Sequence, residues 1–190
     1  MKTQVALKSL ASRYAAINTD RRKLQELSQL AQRNSKQSIF ALQRGEVDKS
    51  DKLLVEAEEA LAKGLSLIKK QPRLNNEGMW RASLEEYCEA CFFDKAIKGK
   101  DLFPPQRITD EPDILIGGLS DLIGEFVRLA TKAAIEHDAE KVDELYGISE
   151  GMVEFLLSLD ATGNLRNKID QARQHLRKLE EIRYDLAKIR

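Results

Sequence analysis

The 190-residue chain has little proline, glycine, cysteine or histidine: four Pro, ten Gly, two Cys and two His. So few helix-breaking residues favour a helix-rich folded protein over a disordered chain. No apolar run approaches the roughly 18–20 residues needed to cross a bilayer. The N-terminus also lacks the unbroken apolar block of a secretion signal. We therefore expect a cytoplasmic protein without a membrane segment.

The two cysteines, Cys88 and Cys91, form a lone C-x-x-C. A zinc site would need two further ligands, and the histidines, His137 and His175, lie far along the chain. A thioredoxin-like redox site would need a βαβ context, which the sequence does not show. We predict small buried thiols on a core helix, with neither a metal-binding nor a redox role.

The charges are unevenly distributed, although the net charge is zero. Residues 1–50 contain ten Lys/Arg and four Asp/Glu, residues 110–160 contain three and thirteen, and residues 161–190 contain eight and four. A neutral total can therefore hide a basic surface suited to nucleic acid. Random scatter over solvated helices explains the same pattern equally well.

Helical periodicity dominates the chain, with no alternating strand pattern and no repeat. The pattern predicts helices over 3–44, 49–69, 77–98, 113–136, 138–158 and from about 164 to 189. The first could also be two helices joined near residues 18–20. Three prolines between residues 98 and 112 predict a loop. Six or seven antiparallel helices with mostly short connections predict a single-domain all-α bundle.

The third predicted helix carries two glutamates in an apolar stretch, EEYCEACFF at 85–93. At 100° per residue, Glu86 lies on the same face as the following residues: Met79, Ala82, Ala90, Phe93 and Ile97. Burying an unpaired carboxylate costs several kcal/mol. Glu86 therefore needs a partner, which could be an arginine, a hydrogen-bond network or a metal.

The fourth predicted helix carries Asp121, Glu125, Arg128 and Lys132 opposite its apolar face. An ordinary exposed face with i,i+4 ion pairs has this appearance. Carboxylates one turn apart can also hold a hard cation. If the third and fourth helices meet, their four carboxylates would suit Mg²⁺ or Mn²⁺, and metal pairs of that kind support phosphodiester cleavage. The spacing leaves both interpretations open.

Four stretches of the chain form an ordered set of motifs: SKQSIFALQR at 35–44, EYCEA at 86–90, DLIGEFVR at 121–128 and LRKLEEIRYDL at 176–186. Together they resemble the translin/TRAX family of α-helical nucleic-acid-binding proteins. The resemblance runs from about residue 20 to the C-terminus. It implies one domain over residues 1–190, in which 1–18 form an N-terminal helical extension. The family's D-Y-L-x-G run is altered to DILIGG, so Asp113 is given no role beyond a helix N-cap.

The resemblance is to the TRAX-like nuclease branch, because translin-type chains have apolar residues where this one has Glu86 and Asp121. It implies that Glu86, Glu89 and Asp121 are catalytic carboxylates that bind Mg²⁺ or Mn²⁺, with Glu125 as a fourth. The implied function is a metal-dependent endoribonuclease that cleaves single-stranded RNA or unpaired RNA segments. The alternatives are a non-catalytic translin-like protein that binds single-stranded RNA or DNA and, less favoured, an all-α nucleotide pyrophosphatase.

The family also implies a closed, barrel-like homo-oligomer, often an octamer, that encloses RNA. Basic N-terminal helices would then contribute to the inner wall. Six basic residues are predicted to contact phosphate on this basis: Arg21, Arg22, Lys23, Arg33, Lys36 and, near the metals, Arg128. The chain is shorter than eukaryotic TRAX, which favours assembly with itself over assembly with a separate translin-like chain.

Overall fold

The structure, a computed structural model, describes residues 2–102 and 107–189. This part of the chain contains no strand and six α-helices: α1 (Lys2–Gln43), α2 (Val47–Lys70), α3 (Gly78–Ile97), α4 (Pro112–Ile135), α5 (Ala139–Leu157) and α6 (Gly163–Ile189). A short 3-10 helix, Pro72–Asn76, precedes α3. The prediction of an all-α bundle is therefore confirmed. None of the described helices is both long and apolar enough to span a membrane.

The helix ends lie close to their predicted positions. α1 is one continuous helix, so the alternative of two helices joined near residues 18–20 is wrong. It ends before Gly45, whose φ of 78° suits glycine. α4 begins at Pro112, because the first position of a helix tolerates the missing N–H of proline. Asp113 consequently lies inside the first turn instead of capping the helix, and residues 103–106 of the predicted loop lie outside the described residues.

The helices form two groups of three that meet along α3 and α4. In one group α1 packs on α2 and α3, and in the other α6 packs on α4 and α5. Helices joined by short connections run antiparallel, as predicted. α3 and α4 run parallel. Two contacts show this direction: Glu85 lies against Gly117 and, further along both helices, Phe93 lies against Phe126. α4 therefore begins at the same end of the bundle as α3.

Much of α3 belongs to the core, because this helix lies where the two groups of helices meet. Trp80 and Phe93 of this helix are fully buried. Trp80 fits because α2 has Gly64 opposite it, where a Cβ atom would lie 2.4 Å from the indole ring. Cys88 is buried, as the sequence predicted, whereas Cys91 is only half-buried.

The first four turns of α1 extend beyond the rest of the bundle. Residues 3–16 are all exposed, including the large apolar side chains of Leu7, Leu10 and Tyr14. Leu10 falls within about 40° of the buried Leu24 on the helix. The apolar stripe that faces the core further along α1 therefore continues, uncovered, along residues 3–16, which we call the N-terminal arm.

A candidate active site between α1, α3 and α4

Four acidic side chains from two helices line one cleft of about 310 Å³: Glu86 and Glu89 of α3, and Asp121 and Glu125 of α4. The sequence left open whether these helices meet, and in the structure they pack side by side. Glu125 is only 9% exposed, so it does not belong to an ordinary solvated face. All four predicted carboxylates therefore face the same space.

A glycine allows α3 and α4 to approach closely beside these carboxylates. A Cβ atom on Gly118 would lie 2.9 Å from the Cβ of Cys88 and 3.0 Å from the backbone nitrogen of Glu89. Real Cβ atoms rarely tolerate both contacts, so a larger residue would push the helices apart. The contact places the turn of α4 that carries Asp121 beside the turn of α3 that carries Glu89.

Two of the carboxylates pair with basic residues in the lining of the cleft. The Nζ of Lys36 on α1 lies 3.3 Å from an oxygen of Glu86. The Nη1 of Arg128 lies 3.0 Å from an oxygen of Glu125, and the amide of Gln43 donates a hydrogen bond to the same carboxylate. Both basic side chains are more than half exposed. A phosphate group entering from solvent can therefore reach them.

Asp121 is held by Lys168 of α6, which lies outside the lining of this cleft. The Nζ of Lys168 lies 2.5 Å from Oδ2 of Asp121 and 3.2 Å from an oxygen of Glu85. No motif identified Lys168 in the sequence. The available signal was its place one turn before the buried Ala172, on the core-facing side of α6. A lysine in that position needs acidic partners from a neighbouring helix.

Glu89 has no such partner. Its side chain is 8% exposed, and none of the hydrogen bonds or ion pairs among the described side chains reaches its carboxylate. Burial, followed by the nearby charges of Glu86, Asp121 and Glu125, raises the pKa of Glu89 to about 8, with Lys168 opposing the shift. Burial also raises the pKa of Glu86 and of Glu125. A cation at this point would relieve the repulsion.

The donor set of the cleft suits a hard divalent cation, because Mg²⁺ and Mn²⁺ prefer carboxylate oxygens. Within the described residues, no three acidic, histidine or cysteine side chains already converge as a metal site. Instead, Glu86 and Asp121 are directed toward Lys36 and Lys168. A cation would have to compete with these two lysines for its ligands.

The other four basic residues predicted to contact phosphate lie outside the lining of this cleft. Arg21 pairs with Glu77 at the start of α3, with Nε 2.8 Å from the carboxylate. Lys23 lines a separate groove between α1 and α2. Arg22 and Arg33 are exposed on α1. A contact between these four residues and phosphate stays a prediction.

Phe40 of α1 also lines the cleft, and its role was not foreseen from the sequence. Its side chain is 47% exposed, although its neighbours Ile39 and Ala41 are buried. The available signal was its spacing, since Phe40 follows Lys36 by one helical turn and must share its face. The cleft thus combines carboxylates, two basic groups and one accessible aromatic ring.

Residues 19–190 match the sequence model of the Translin family. No curated protein matches the chain. Among solved structures, apo-NeC3PO is similar with a TM-score of 0.86 and 21% identity over 95% of this chain and 96% of that one. AfC3PO is similar with a TM-score of 0.86 and 22% identity. AfC3PO in complex with duplex RNA is similar with a TM-score of 0.75 and 23% identity. Each of these two matches covers 97% of this chain and 98% of the other chain. At these identities the similarity establishes a shared all-α fold.

Proposed function

The chain belongs to the translin family, and from the cleft that it builds on this fold we propose that it is a metal-dependent endoribonuclease. The proposed substrate is single-stranded RNA or an unpaired RNA segment. One observation carries the proposal: four carboxylates from α3 and α4 line a single cleft that also contains Lys36 and Arg128. Glu86 and Asp121 support the TRAX-like branch, since translin-type chains have apolar residues in their places.

In this proposal the four carboxylates hold Mg²⁺ or Mn²⁺. Bound there, the cation would supply Lewis-acid chemistry, lowering the pKa of a water molecule and stabilising charge on the departing oxygen. Glu89 is the central ligand, because a cation offsets the cost of burying its otherwise unpartnered carboxylate. Lys168 holds the side chain of Asp121 beside it, and Gln43 orients that of Glu125.

The two basic residues of the cleft would position the RNA backbone. Arg128 can donate two parallel hydrogen bonds to a phosphate, whereas Lys36 acts as a compact charge. In the structure Arg128 pairs with Glu125 and Lys36 pairs with Glu86. A phosphate that binds Lys36 and Arg128 would release the carboxylates of Glu86 and Glu125 for the cation. Substrate binding and metal binding would therefore favour each other.

RNA as the ligand, though not the choice of unpaired segments, is supported by the family and by one relative of known structure. AfC3PO has been solved in complex with duplex RNA. A duplex with unpaired ends would fit both that complex and the preference for unpaired RNA that the resemblance implies. Single-stranded DNA is a further ligand to be expected of the same surface.

We also propose that copies of the chain assemble into a closed, barrel-like homo-oligomer. The exposed apolar side chains of the N-terminal arm support self-association. The first sixteen residues contain three basic residues and no acidic one, so two arms would repel each other. Each arm would therefore contact a different, more acidic surface of a second copy. A contact between two different surfaces closes into a ring when the rotation allows it.

The alternative function is that of a non-catalytic, translin-like protein that binds single-stranded RNA or DNA. One observation favours it: Glu86, Asp121 and Glu125 already have partners in Lys36, Lys168, Arg128 and Gln43. In that case the ion pairs would stabilise the fold, and the cleft would bind nucleic acid without cleaving it.

Cleavage of an end-labelled RNA with single-stranded and paired segments tests the proposal. We would compare wild type, Glu89→Gln and, as a matched control, Glu154→Gln on the exposed face of α5, each in Mn²⁺, Mg²⁺ or EDTA. Circular dichroism and sedimentation would first show equal folding and assembly. We expect cuts in unpaired segments that require the metal, slower by about 100-fold or more in Glu89→Gln and unchanged in Glu154→Gln. Intact RNA in wild type, despite tight binding, would support the non-catalytic alternative.

A further inference from the structure

Phe40 is an unusual side chain for the cleft in which it lies. Its ring is about half exposed, and the other residues that line the cleft are charged, apart from the buried Ile39. An accessible phenyl ring gains little from water, so a ligand that covers it gains apolar contact. A ligand for this position must therefore combine an apolar face with groups that suit the surrounding charges.

A second protein surface is a poor match for this position. Covering Phe40 with an apolar partner would also cover Glu86, Glu125, Lys36 and Arg128, and removing these charges from water without new partners is costly. A nucleotide has no such conflict, because its phosphate is charged and its base presents a flat apolar face. Base–aromatic stacking contributes favourably to single-strand binding and tolerates any base, since every base has a π-face.

The spacing along α1 fits one nucleotide. Lys36 and Phe40 are one helical turn apart, which places their Cβ atoms about 5–6 Å from each other. A nucleotide carries its phosphate and its base on a single ribose, so the phosphate can lie at Lys36 while the base lies on Phe40. The carboxylates of Glu86 and Glu89 line the same cleft.

We infer that Phe40 forms a stacking subsite for an unpaired nucleobase next to the phosphate that is cleaved. This inference rests on the proposed function of the cleft and extends it to substrate selection. A base inside a duplex has both faces covered by its neighbours, so only an unpaired or flipped base can stack on the ring. A phenyl ring offers no hydrogen-bonding groups, so the subsite selects unpaired nucleotides without reading their identity.

The test measures RNA binding in Mg²⁺. It uses the full-length protein carrying Glu89→Gln, so that the result does not depend on cleavage. Phe40→Leu would be compared with Phe155→Leu, because Phe155 on α5 is similarly exposed, at 49%, and lies outside the cleft. The probes are a fluorescently labelled single-stranded oligonucleotide and a blunt duplex of the same sequence. We expect Phe40→Leu to weaken single-strand binding by roughly 5- to 140-fold and to affect duplex binding much less. Phe155→Leu should bind like the parent.

Two further measurements distinguish base stacking on Phe40 from a structural role of this residue. Phe40→Trp should retain single-strand binding, and its fluorescence should be quenched by the oligonucleotide, whereas Phe155→Trp should show no quenching. If Phe40→Leu binds RNA like the parent and the fluorescence of Phe40→Trp is not quenched, the inference is overturned. The nuclease proposal would still stand if the protein carrying native Glu89 cleaves RNA. A lower sedimenting mass of Phe40→Leu would also overturn it, because the ring would then belong to an interface between copies.

Discussion

Lys168 of α6 and Asp121 of α4 form an ion pair beside the acidic cleft, with Nζ 2.5 Å from Oδ2. The same ammonium group lies 3.2 Å from Glu85. One largely buried cation thus joins two acidic side chains from α3 and α4. It stabilises the packing of α6 and also competes with any metal for Asp121.

Replacing this lysine should therefore affect stability and metal binding in opposite directions. We expect Lys168→Met to lower the free energy of unfolding by about 1–2 kcal/mol in EDTA, because two acidic groups lose their cation. The rise in melting temperature on adding Mn²⁺ should be larger than in wild type, because one competitor for Asp121 is gone. Both are measured by thermal denaturation.

Lys178→Met is the matched control, because the pair between Lys178 and Glu181 lies on the exposed side of α6. It should change neither quantity measurably. Equal effects of Mn²⁺ on wild type and Lys168→Met would contradict a competition between this lysine and the metal.

Glu89 should make the metal-free protein less stable as the pH rises. Its pKa is about 8 in the folded protein, against about 4.3 in an unfolded chain. The folded state therefore holds this proton more tightly, and the resulting stability is present at low pH and is lost as the pH rises toward 8. We expect Glu89→Gln to be more stable than wild type at pH 8 by roughly 1–3 kcal/mol, with a much smaller difference at pH 5.

Urea denaturation in EDTA at the two pH values measures this difference. Glu154→Gln on α5 is the control and should show no pH-dependent gain. A constant difference between Glu89→Gln and wild type at pH 5 and pH 8 would show that burial does not perturb this carboxyl.

Gly118 should be required for both stability and the site. We expect Gly118→Ala to destabilise the protein by about 1–3 kcal/mol, because the added methyl meets Cys88 and the backbone at Glu89. It should also slow RNA cleavage at temperatures where the variant stays folded, since Asp121 moves away from Glu89. Denaturant titration and the cleavage assay measure the two effects.

Gly151→Ala provides the comparison for Gly118→Ala, because Gly151 lies in α5 with no atom within 4 Å of the added Cβ. Alanine at this helical position should stabilise the protein by about 0.5–1 kcal/mol. If Gly118→Ala is as stable and as active as wild type, the close approach of α3 and α4 does not position the carboxylates.

The N-terminal arm should contribute to assembly. We expect Leu10→Glu combined with Tyr14→Glu to lower the mass observed in sedimentation, because both changes place charge on the exposed apolar stripe. Val55→Glu changes a similarly exposed apolar residue on α2 and should leave the mass unchanged. If the arm variant has the same sedimenting mass as wild type, the arm is not part of the assembly contact.

Most of the fold could be predicted because its helices carry strong local signals. The apolar period, Gly45 and Pro112 set the helix ends within two residues of their positions in the structure. One helix over 3–44 was predicted correctly, and the alternative of a break at residues 18–20 arose because Thr19 and Asp20 resemble a helix cap. Thr19 instead donates its hydroxyl to the backbone oxygen of Ala15 inside the helix. A capping residue only permits a helix start, whereas the continuous apolar stripe favours one helix.

The site could be predicted only in part, because its motifs identify residues but not how helices meet. The carboxylates on α3 follow from their placement in an apolar stretch, and those on α4 follow from their one-turn spacing and the family resemblance. Lys168 and Phe40 do not, since their places near these carboxylates depend on how α6 packs on α4 and how α1 packs on α3. The contact at Gly118, which brings Asp121 next to Glu89, likewise depends on packing and has no periodic signal.

Binding of Mn²⁺ tests the central claim most directly, because free Mn²⁺ gives an electron paramagnetic resonance signal that falls when the ion is bound. We would titrate wild type, Glu89→Gln with Asp121→Asn, and a control with Glu140→Gln and Glu154→Gln on the exposed face of α5. We predict about one or two tight Mn²⁺ ions per protomer in wild type and in the control, with affinity at least about 10-fold lower in the cleft variant. The same affinity and stoichiometry in all three proteins would show that these carboxylates do not hold the metal.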